Sequence, residues 1–420
     1  MRLLQRLRLW RTRLMLLFAV IGPGIITTNV DNDAGGITTY SVAGAKYGYG
    51  FLWMLPLVGL VLVFAQEMSG RLGVVTGKGL AGLIREKMGV RWTAAIIGLM
   101  VFVNLANTVS EFAGVAASME IFGVSKFISV PLAALGVWLL IVKGNYKSVE
   151  RVFLLASAFY LAYVASGLLA RPNWAEVGRA AIQPSFRLEA GYMLLLVTVI
   201  GTTVAPWQQF YQQSAIVDKG LTEKDYGYEL ADVIIGNVYA MVVVAFIMIA
   251  CAATLFVNNV SIATAQDAAL ALRPLAGDYA ATLFAFGLLN ASLFAASVLP
   301  LSTAYVVCEA FGWEMGISRE WREAPIFFGI YTALIVLGAG IILLPIQSLI
   351  DAMLASQTLN GVVLPVILIV MLRLINDKRL LGRFASGRIY NTLAWATVAV
   401  LILLTAILVV TSFFPGLLGE

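Results

Sequence analysis

Apolar runs long enough to cross a lipid bilayer recur along almost the whole chain. A spanning helix needs about 20 mainly apolar residues, and eleven runs approach or exceed this length. Only 12% of the 420 residues are charged, which is far below the quarter that is usual in soluble domains. The cores of the runs lie at 16–40, 51–66, 93–121, 127–142, 152–170, 191–216, 232–257, 279–307, 325–344, 347–374 and 391–414. This pattern predicts an all-α polytopic membrane protein with 11 transmembrane helices, and it lacks the alternation of an outer-membrane barrel.

The positive charges are unevenly distributed between the connections of these segments. Most of the 28 Lys and Arg residues lie in a basic arm, residues 1–15, and in every second connection after it. The positive-inside rule places those parts in the cytoplasm. We therefore expect a multi-pass protein of the plasma membrane with a cytoplasmic N-terminus and, after an odd number of spans, an outside C-terminus. The arm either lies on the membrane surface or only sets the topology.

Two of the segments are interrupted by residues that break a helix. Segment 1 contains "DNDAGG", and segment 6 contains "GTTVAPW", Gly201 to Trp207, in which the proline removes a backbone donor. The two breaks are five segments apart, which indicates two inverted five-helix repeats, residues 16–175 and 190–375, followed by an extra helix 11 in 389–420. Transporters built in this way bind their substrate at the membrane midplane, between the unwound stretches.

The first break carries a carboxylate that is costly in a membrane. An aspartate at the centre of a spanning helix costs about 2.5–3.5 kcal/mol on insertion scales, and such residues usually have a function. Asp33 beside unwound backbone, facing a second break, predicts a cage of oxygen atoms for a cation. The alternative is a structural ion pair or hydrogen bond to a neighbouring span, and for Asp31 the two readings are equally open.

Several other classes of site are excluded by residue type. The chain has no histidine, and its two cysteines lie in apolar runs, so neither a Ser-His-Asp triad, a zinc site nor a disulfide framework is expected. The stretch "GVVTGKG" does not have P-loop spacing. We expect neither an enzyme nor a nucleic-acid partner. One chain holds both predicted repeats, so a monomer could suffice.

Further carboxylates lie near the ends of the predicted segments. Glu67 is expected near the interface rather than on an ion path. Asp232 and Glu309 are explained by snorkelling or capping, and Asp351 by a cap or by a position at the entrance to the path.

Five stretches of the sequence match one known family. They are "GPGIITTNVDNDAGG", "QEMSGRLGVVTGKGLA", "SEFAG", "GTTVAPWQQFYQQS" and the pair Ser356–Gln357 with the "NDKRLLG" that follows. In these stretches the chain resembles the natural-resistance-associated macrophage protein (NRAMP) family of divalent-metal transporters. The resemblance implies a LeuT-like fold with broken helices 1 and 6.

The resemblance also implies a set of site residues. Counted from Gly22–Pro23–Gly24, the aspartate of the family's DPGN motif falls on Asp33. The metal-ligating backbone carbonyl of segment 6 falls on Thr202, and the glutamine of segment 10 on Gln357. The glutamate of the family's proton route matches Glu111.

The departures from the family pattern concern the ligands that select the metal. The asparagine of DPGN is replaced by Gly36, and the methionine of the family's MPH motif by Ala205. A thioether is a soft ligand, so its loss leaves a wider site of carboxylate and carbonyl oxygens. Mg²⁺ prefers oxygen and often keeps several waters. In this respect the chain resembles the NRAMP-related magnesium transporter branch.

The groups that would carry protons are depleted. The family's second proton-route carboxylate becomes Thr108, and a further family histidine becomes Gln212. Glu111 is retained, and it either attracts the hydrated ion or forms a structural hydrogen bond. These replacements predict facilitated uptake without proton coupling.

The sequence therefore predicts Mg²⁺ uptake by alternating access, with the ion bound partly hydrated. The predicted metal site consists of Asp33, Gly36, Thr202, Ala205, Gln357 and Glu111. The metal is cargo rather than a cofactor, and the only expected partners are the divalent ion, with Mn²⁺ possible, and the bilayer. Two alternatives stay open: a proton-coupled Mn²⁺ importer of the parent family, and a symporter of amino acids or other organic solutes on the same scaffold.

Overall fold

The computed structural model describes residue 30, residues 32–143 and residues 160–413, and no strand occurs among them. The helices are α1 (Ala34–Tyr47), α2 (Leu55–Thr76), α3 (Leu80–Glu120), α4 (Lys126–Lys143), α5 (Leu161–Leu169), α6 (Trp174–Ile182), α7 (Ala190–Thr203), α8 (Pro206–Asp218), α9 (Tyr226–Cys251), α10 (Ala280–Phe311), α11 (Pro325–Leu343), α12 (Leu349–Ile375) and α13 (Arg388–Phe413). Short helical turns lie between them at Leu52–Met54, Glu223–Asp225, Ala252–Phe256, 265–279 and 378–384.

Within the described residues, nine helical stretches are long and apolar enough to cross a membrane. They correspond to segments 2–4 and 6–11 of the sequence. Segments 1 and 5 extend into 16–29 and 152–159, which lie outside the described residues, as do the arm at 1–15 and Asp31. The count of eleven spans, the boundaries of the two repeats and the orientation of the termini therefore stay predictions.

The interruption of segment 6 divides it into α7 and α8. Val204 (φ −123°, ψ 66°) and Ala205 (φ −74°, ψ 139°) leave the helical conformation, and Pro206 occupies the first turn of α8. Proline is well tolerated there because the first helical N–H groups have no partner within the helix. Helices α7 and α8 lie in the centre of the fold. Of their most apolar 18 residues 83% are buried, whereas the share is 22% for α4 and for α13.

The start of α3 differs from the prediction. The apolar core was expected to begin at residue 93, whereas the helix begins at Leu80 and changes direction at Gly89, whose φ of 77° favours glycine. Leu80, Leu83 and Ile84 are fully buried, while the charged residues at 85–87 between these and the bend are exposed. The charged residues lower the mean hydropathy of this first part of α3, so its apolar face is not recognised as part of a spanning segment in the sequence.

Two polar contacts join α3 to α10 across the membrane-spanning region. The Asn104 amide donates to the Thr303 hydroxyl (2.7 Å) near the middle, and the Arg85 guanidinium donates to the Ala310 carbonyl (2.6 Å) at one end. The two contacts lie on opposite sides of the bend at Gly89, so they attach both parts of α3 to α10.

Helices α7 and α12 touch through glycine. A Cβ atom at Gly201 would overlap the backbone of Gly361 and the Gln357 carbonyl, and a Cβ at Gly361 would overlap the Val197 carbonyl. Small residues allow helices in membranes to approach closely. This contact brings the end of α7 beside the middle of α12, where the candidate site lies.

Candidate metal site

Asp33 lies at the N-terminus of α1 and caps it. Its Oδ1 atom accepts a hydrogen bond from the Gly36 N–H (2.5 Å), and only 4% of the residue is exposed. A helix N-terminus carries a partial positive charge and unpaired N–H groups, so the aspartate is held in place by the helix that it begins. Gly36 therefore contributes to the site through its N–H, which orients the carboxylate.

Gln357 of α12 reaches the same carboxylate. Its Nε2 atom lies 3.3 Å from both carboxylate oxygens of Asp33. A Cβ at Gly35 would overlap this amide, so the glycine is needed for the contact. The structure thus brings together two residues that are 324 positions apart in the chain.

The orientation of Gln357 is fixed by a pair of asparagines that the sequence analysis did not identify. The Asn360 amide donates to Gln357 Oε1 (2.8 Å) and to Asn107 Oδ1 (3.1 Å), and the Asn107 amide donates back to Asn360 Oδ1 (2.9 Å). All three side chains are buried. The amide oxygen of Gln357 is therefore occupied, and in this conformation the residue presents a donor to Asp33 rather than an oxygen to a cation.

Glu111 of α3 approaches the same helix end as Asp33. Its Oε2 atom accepts a hydrogen bond from the Ala34 N–H (3.2 Å), and its carboxyl group also lies within hydrogen-bonding distance of the Asp33 carboxyl group. Two carboxylates thus share the N-terminus of α1. Thr108, one turn earlier on α3, donates its hydroxyl to the Asn104 carbonyl (2.7 Å).

The end of α7 lies beside the residues of α1 and α12 described above. The Thr202 carbonyl cannot accept the usual helical hydrogen bond because Pro206, four residues on, has no N–H. The Thr202 hydroxyl is also buried without a partner among the described residues. A hydrogen bond of 3.0 Å between the hydroxyls of Tyr40 and Thr203 ties α1 to this end of α7.

Ala205 places no polar side-chain atom in the break. Ala205 is 2% exposed and extended in conformation, and its side chain is a single methyl group. On α12, one turn before Gln357, the thioether of Met353 accepts a weak hydrogen bond from the Thr38 hydroxyl of α1 (3.5 Å). In the described part of the chain, no three His, Cys, Asp or Glu side chains form a group able to hold a metal. A cation here would be bound by one or two carboxylates, neutral oxygens and retained water.

Asn32 is a further candidate that the sequence analysis missed. The residue is fully buried, and neither atom of its amide has a partner among the described residues. A buried amide without partners is costly, and this one directly precedes Asp33. Its position inside "DNDAGG" was the available signal.

The other predicted carboxylates lie elsewhere. Glu67 pairs with Arg71 (3.1 Å) and accepts hydrogen bonds of 2.5 Å from the hydroxyls of Tyr226 and Tyr390. It therefore belongs to a buried network that joins α2, α9 and α13. The expectation that snorkelling or capping explains Asp232 is wrong, since this residue is fully buried in α9.

Asp351 lines an open cavity of about 680 Å³ between the ends of α3, α4 and α12. Its N–H donates to the capping Ser348 hydroxyl (3.1 Å). The residue is thus in the first turn of a capped helix and also beside a cavity. Gln357 lies six residues further along α12, or about 9 Å.

Comparison with known proteins gives consistent relatives. The profile described as natural resistance-associated macrophage protein-like matches residues 24–411. The divalent metal cation transporter MntH of Ralstonia nicotianae is 29% identical over 416 residues, which are 94% of this chain and 90% of the relative. The protein of the same name from Bacillus subtilis is 25% identical over 413 residues, 94% of this chain and 93% of that one.

The solved structures support the same fold. The manganese transporter of Eremococcus coleocola, in complex with an aromatic bis-isothiourea compound, superposes with a TM-score of 0.79 at 22% identity, covering 97% of this chain and 89% of that one. MhsT in complex with L-phenylalanine gives 0.60 at 14% identity, covering 93% and 98%. At these identities the likeness concerns the fold alone, and it confirms the predicted all-α, LeuT-like class.

Proposed function

This chain belongs to the natural resistance-associated macrophage protein-like family, and we propose that it is a divalent metal cation transporter that carries partly hydrated Mg²⁺. Members of the family are membrane transporters rather than enzymes, and the metal is their cargo. The relatives named above are called divalent metal cation transporters. We further propose uptake across the plasma membrane, by alternating access and without proton coupling.

The observation that carries the Mg²⁺ proposal is the donor set around the breaks. It contains the paired Asp33 and Glu111 carboxyl groups and the unpaired carbonyl and hydroxyl of Thr202, with the methyl of Ala205 where the family resemblance places a thioether. These are hard oxygen ligands, and there are few of them. Mg²⁺ suits such a site because it sheds water reluctantly and is often held by one or two carboxylates.

The arrangement of the former proton-route positions supports uncoupled transport. The Thr108 hydroxyl is committed to a backbone carbonyl, and Gln212 donates to Glu229 (3.0 Å). Neither side chain titrates in the physiological range. The membrane potential supplies about 2.3 kcal/mol per charge for each 100 mV, or about twice this for a divalent ion, which is sufficient to drive accumulation.

The test of the site is Mg²⁺ flux into proteoliposomes. Asp33→Ala should abolish flux while the purified protein still elutes as a folded species, because the site loses its main anionic ligand. Asp278→Asn, at an exposed carboxylate, is the matched control and should transport like the parent protein. Flux that survives Asp33→Ala would refute the site assignment.

The test of coupling is an internal pH dye in the same vesicles. Mg²⁺ uptake should leave the luminal pH at background under an imposed potential. Acidification that follows the flux would overturn uncoupled transport.

A proton-coupled Mn²⁺ importer is the second candidate, favoured by the retention of Glu111 beside Asp33. Inhibition of uptake by micromolar Cd²⁺ would support this candidate. A soft ion such as Cd²⁺ gains little from oxygen ligands and should not compete at the proposed Mg²⁺ site. An organic-solute symporter on the same scaffold would instead show calorimetric binding of amino acids and none of Mg²⁺.

A further inference from the structure

Residues 206–216 of helix α8 are all buried, although this stretch is rich in glutamine. Gln208, Gln209, Gln212 and Gln213 are all 0% exposed. A buried amide costs about 1–3 kcal/mol when its hydrogen bonds are not replaced. Four such side chains within two turns therefore need an explanation beyond the packing of the helix.

The glutamines face two neighbouring helices that offer only part of the required partners. The Ser69 hydroxyl of α2 donates to Gln209 (3.2 Å), and Gln212 donates to Glu229 of α9 (3.0 Å). Gln213 donates to the Lys78 carbonyl (2.8 Å). We call Gln209, Gln212, Gln213 and Glu229 the inner cluster.

Several polar atoms of the inner cluster stay unsatisfied among the described residues. They are the amide oxygens of Gln212 and Gln213, the amide nitrogen of Gln209 and the second carboxylate oxygen of Glu229. Glu229 is 1% exposed, and a Cβ at Gly70 would lie 3.1 Å from its Cγ and 3.2 Å from its Oε1. The glycine of α2 thus leaves space beside the carboxylate.

The position of the inner cluster relates it to the metal site. Gln212 follows Ala205 by seven residues, or about 10 Å along α8. Beyond it, α8 ends at Asp218 in the connection "DKGLTEKD", which the charge distribution assigns to the cytoplasm. The inner cluster therefore lies between the breaks and the predicted inner face.

We propose that the inner cluster is a second, weaker station for the hydrated divalent cation, which it binds through the ion's water shell during release towards the cytoplasm. This inference rests on the proposed function. Metal-bound water only donates hydrogen bonds, and most of the unsatisfied atoms are acceptors: two amide oxygens and a carboxylate oxygen. One carboxylate among neutral amides attracts a dication without chelating it, as a transit site requires. Asp232, buried on the same helix one turn after Glu229, adds negative charge.

The experiment is Mg²⁺ flux kinetics in proteoliposomes for Glu229→Gln. The maximal rate should fall about tenfold while KM changes less than about twofold, since loading at Asp33 is untouched and release is slowed; tenfold corresponds to about 1.4 kcal/mol. Glu223→Gln, at an exposed residue paired with Arg383 (3.0 Å), is the matched control and should leave both constants unchanged. A maximal rate of Glu229→Gln equal to that of the control would overturn the proposal of a second binding site.

A variant of the charged neighbour of Glu229 distinguishes the proposed role in ion transit from a purely structural role. Lys219, at the end of α8, interacts with Glu229. If the carboxylate served only that lysine, Lys219→Met would slow transport as much as Glu229→Gln, and this result would refute the proposal. The station instead predicts an unchanged or faster rate, because a competing positive charge is removed.

Two further measurements keep the proposal testable if Glu229→Gln does not fold. Gly70→Ala should also lower the maximal rate, since its methyl group occupies the space beside the carboxylate, and an unchanged rate would count against the station. In an Asp33→Asn background, Mn²⁺ titration followed by electron paramagnetic resonance should show weak binding that Gly70→Ala reduces; no residual binding would refute the station. If Asp33→Asn itself transported normally, the proposed function would fail, whatever the result at Glu229.

Discussion

The contact between Gly35 and Gln357 makes a sharp prediction because it tests the site through two positions at once. In Gly35→Ala the new Cβ would lie 2.8 Å from both Cγ and Cδ of Gln357 and would overlap its amide. The glutamine side chain is long enough to rotate away, so the main cost is the loss of its hydrogen bonds to the Asp33 carboxylate. Hydrogen bonds to charged groups contribute about 1.5–3 kcal/mol.

The variant Gln357→Ala removes the same hydrogen bonds and also the one that Asn360 donates to the Gln357 amide oxygen. Gly35→Ala should therefore lose about 1.5–3 kcal/mol. Gln357→Ala should lose more, and the double variant should lose no more than Gln357→Ala, since the interaction with Asp33 can be lost only once. For a chain of this length the loss in Gly35→Ala lowers the midpoint of thermal unfolding by about 2–3 °C.

The assay is thermal unfolding of the purified protein in detergent without added metal, for the four members of the cycle. Gly98→Ala is the control, because a Cβ there meets nothing within 4 Å in the same kind of helical backbone. Additive losses in the double variant would refute the contact and with it the orientation of Gln357 towards Asp33.

Three other predictions concern the ligand set, the helix contact and the inner end. Ala205→Met should make Mg²⁺ uptake sensitive to Cd²⁺ by returning a soft ligand to the break, and unchanged sensitivity would place Ala205 outside the site. Gly201→Ala should abolish flux and cost more than about 3 kcal/mol, because the backbone of Gly361 cannot rotate away as a side chain can. Tyr390→Phe should destabilise the protein by about 1.5–3 kcal/mol through the lost hydrogen bond to Glu67; an unchanged midpoint of unfolding would refute that bond.

Control variants show whether the same substitution has an effect at a position without the contact in question. Gly136→Ala adds the same methyl group in α4 with nothing within 4 Å, and it should transport normally. Tyr279→Phe removes a hydroxyl from a residue that is 77% exposed, so the midpoint of unfolding should not move.

The parts of the site that were predictable are those where one residue type contradicts its surroundings. A carboxylate and a proline inside apolar runs identify Asp33 and the break before Pro206, because each is costly in a continuous membrane helix. The family resemblance assigned Gln357 and Asp33 to the same site, without a direct contact between them. The role of Gln357 as a donor was not expected, because that depends on Asn360, which occupies the amide oxygen.

The parts that were missed depend on distant pairs of unremarkable residues. Asn107 and Asn360 are neutral and lie 253 positions apart, so nothing in either segment indicates that they bond to each other. The contact of Gly201 with Gly361 also cannot be predicted from the sequence, since glycine is common in membrane helices. Helix α6 was absent from the prediction because its nine residues alternate apolar and polar faces without a spanning length.

The paired hydrogen bonds between α3 and α10 have a mechanical consequence. Arg85 and Asn104 lie on opposite sides of the bend at Gly89, so the two bonds attach both parts of α3 to the end of α10 and hold the bend at a fixed angle. Spin labels placed on this pair should report one unchanging separation in vesicles, with and without Mg²⁺. If the protein works by alternating access as proposed, the two parts of α3 and the end of α10 move together, and Glu111 is carried with them on α3.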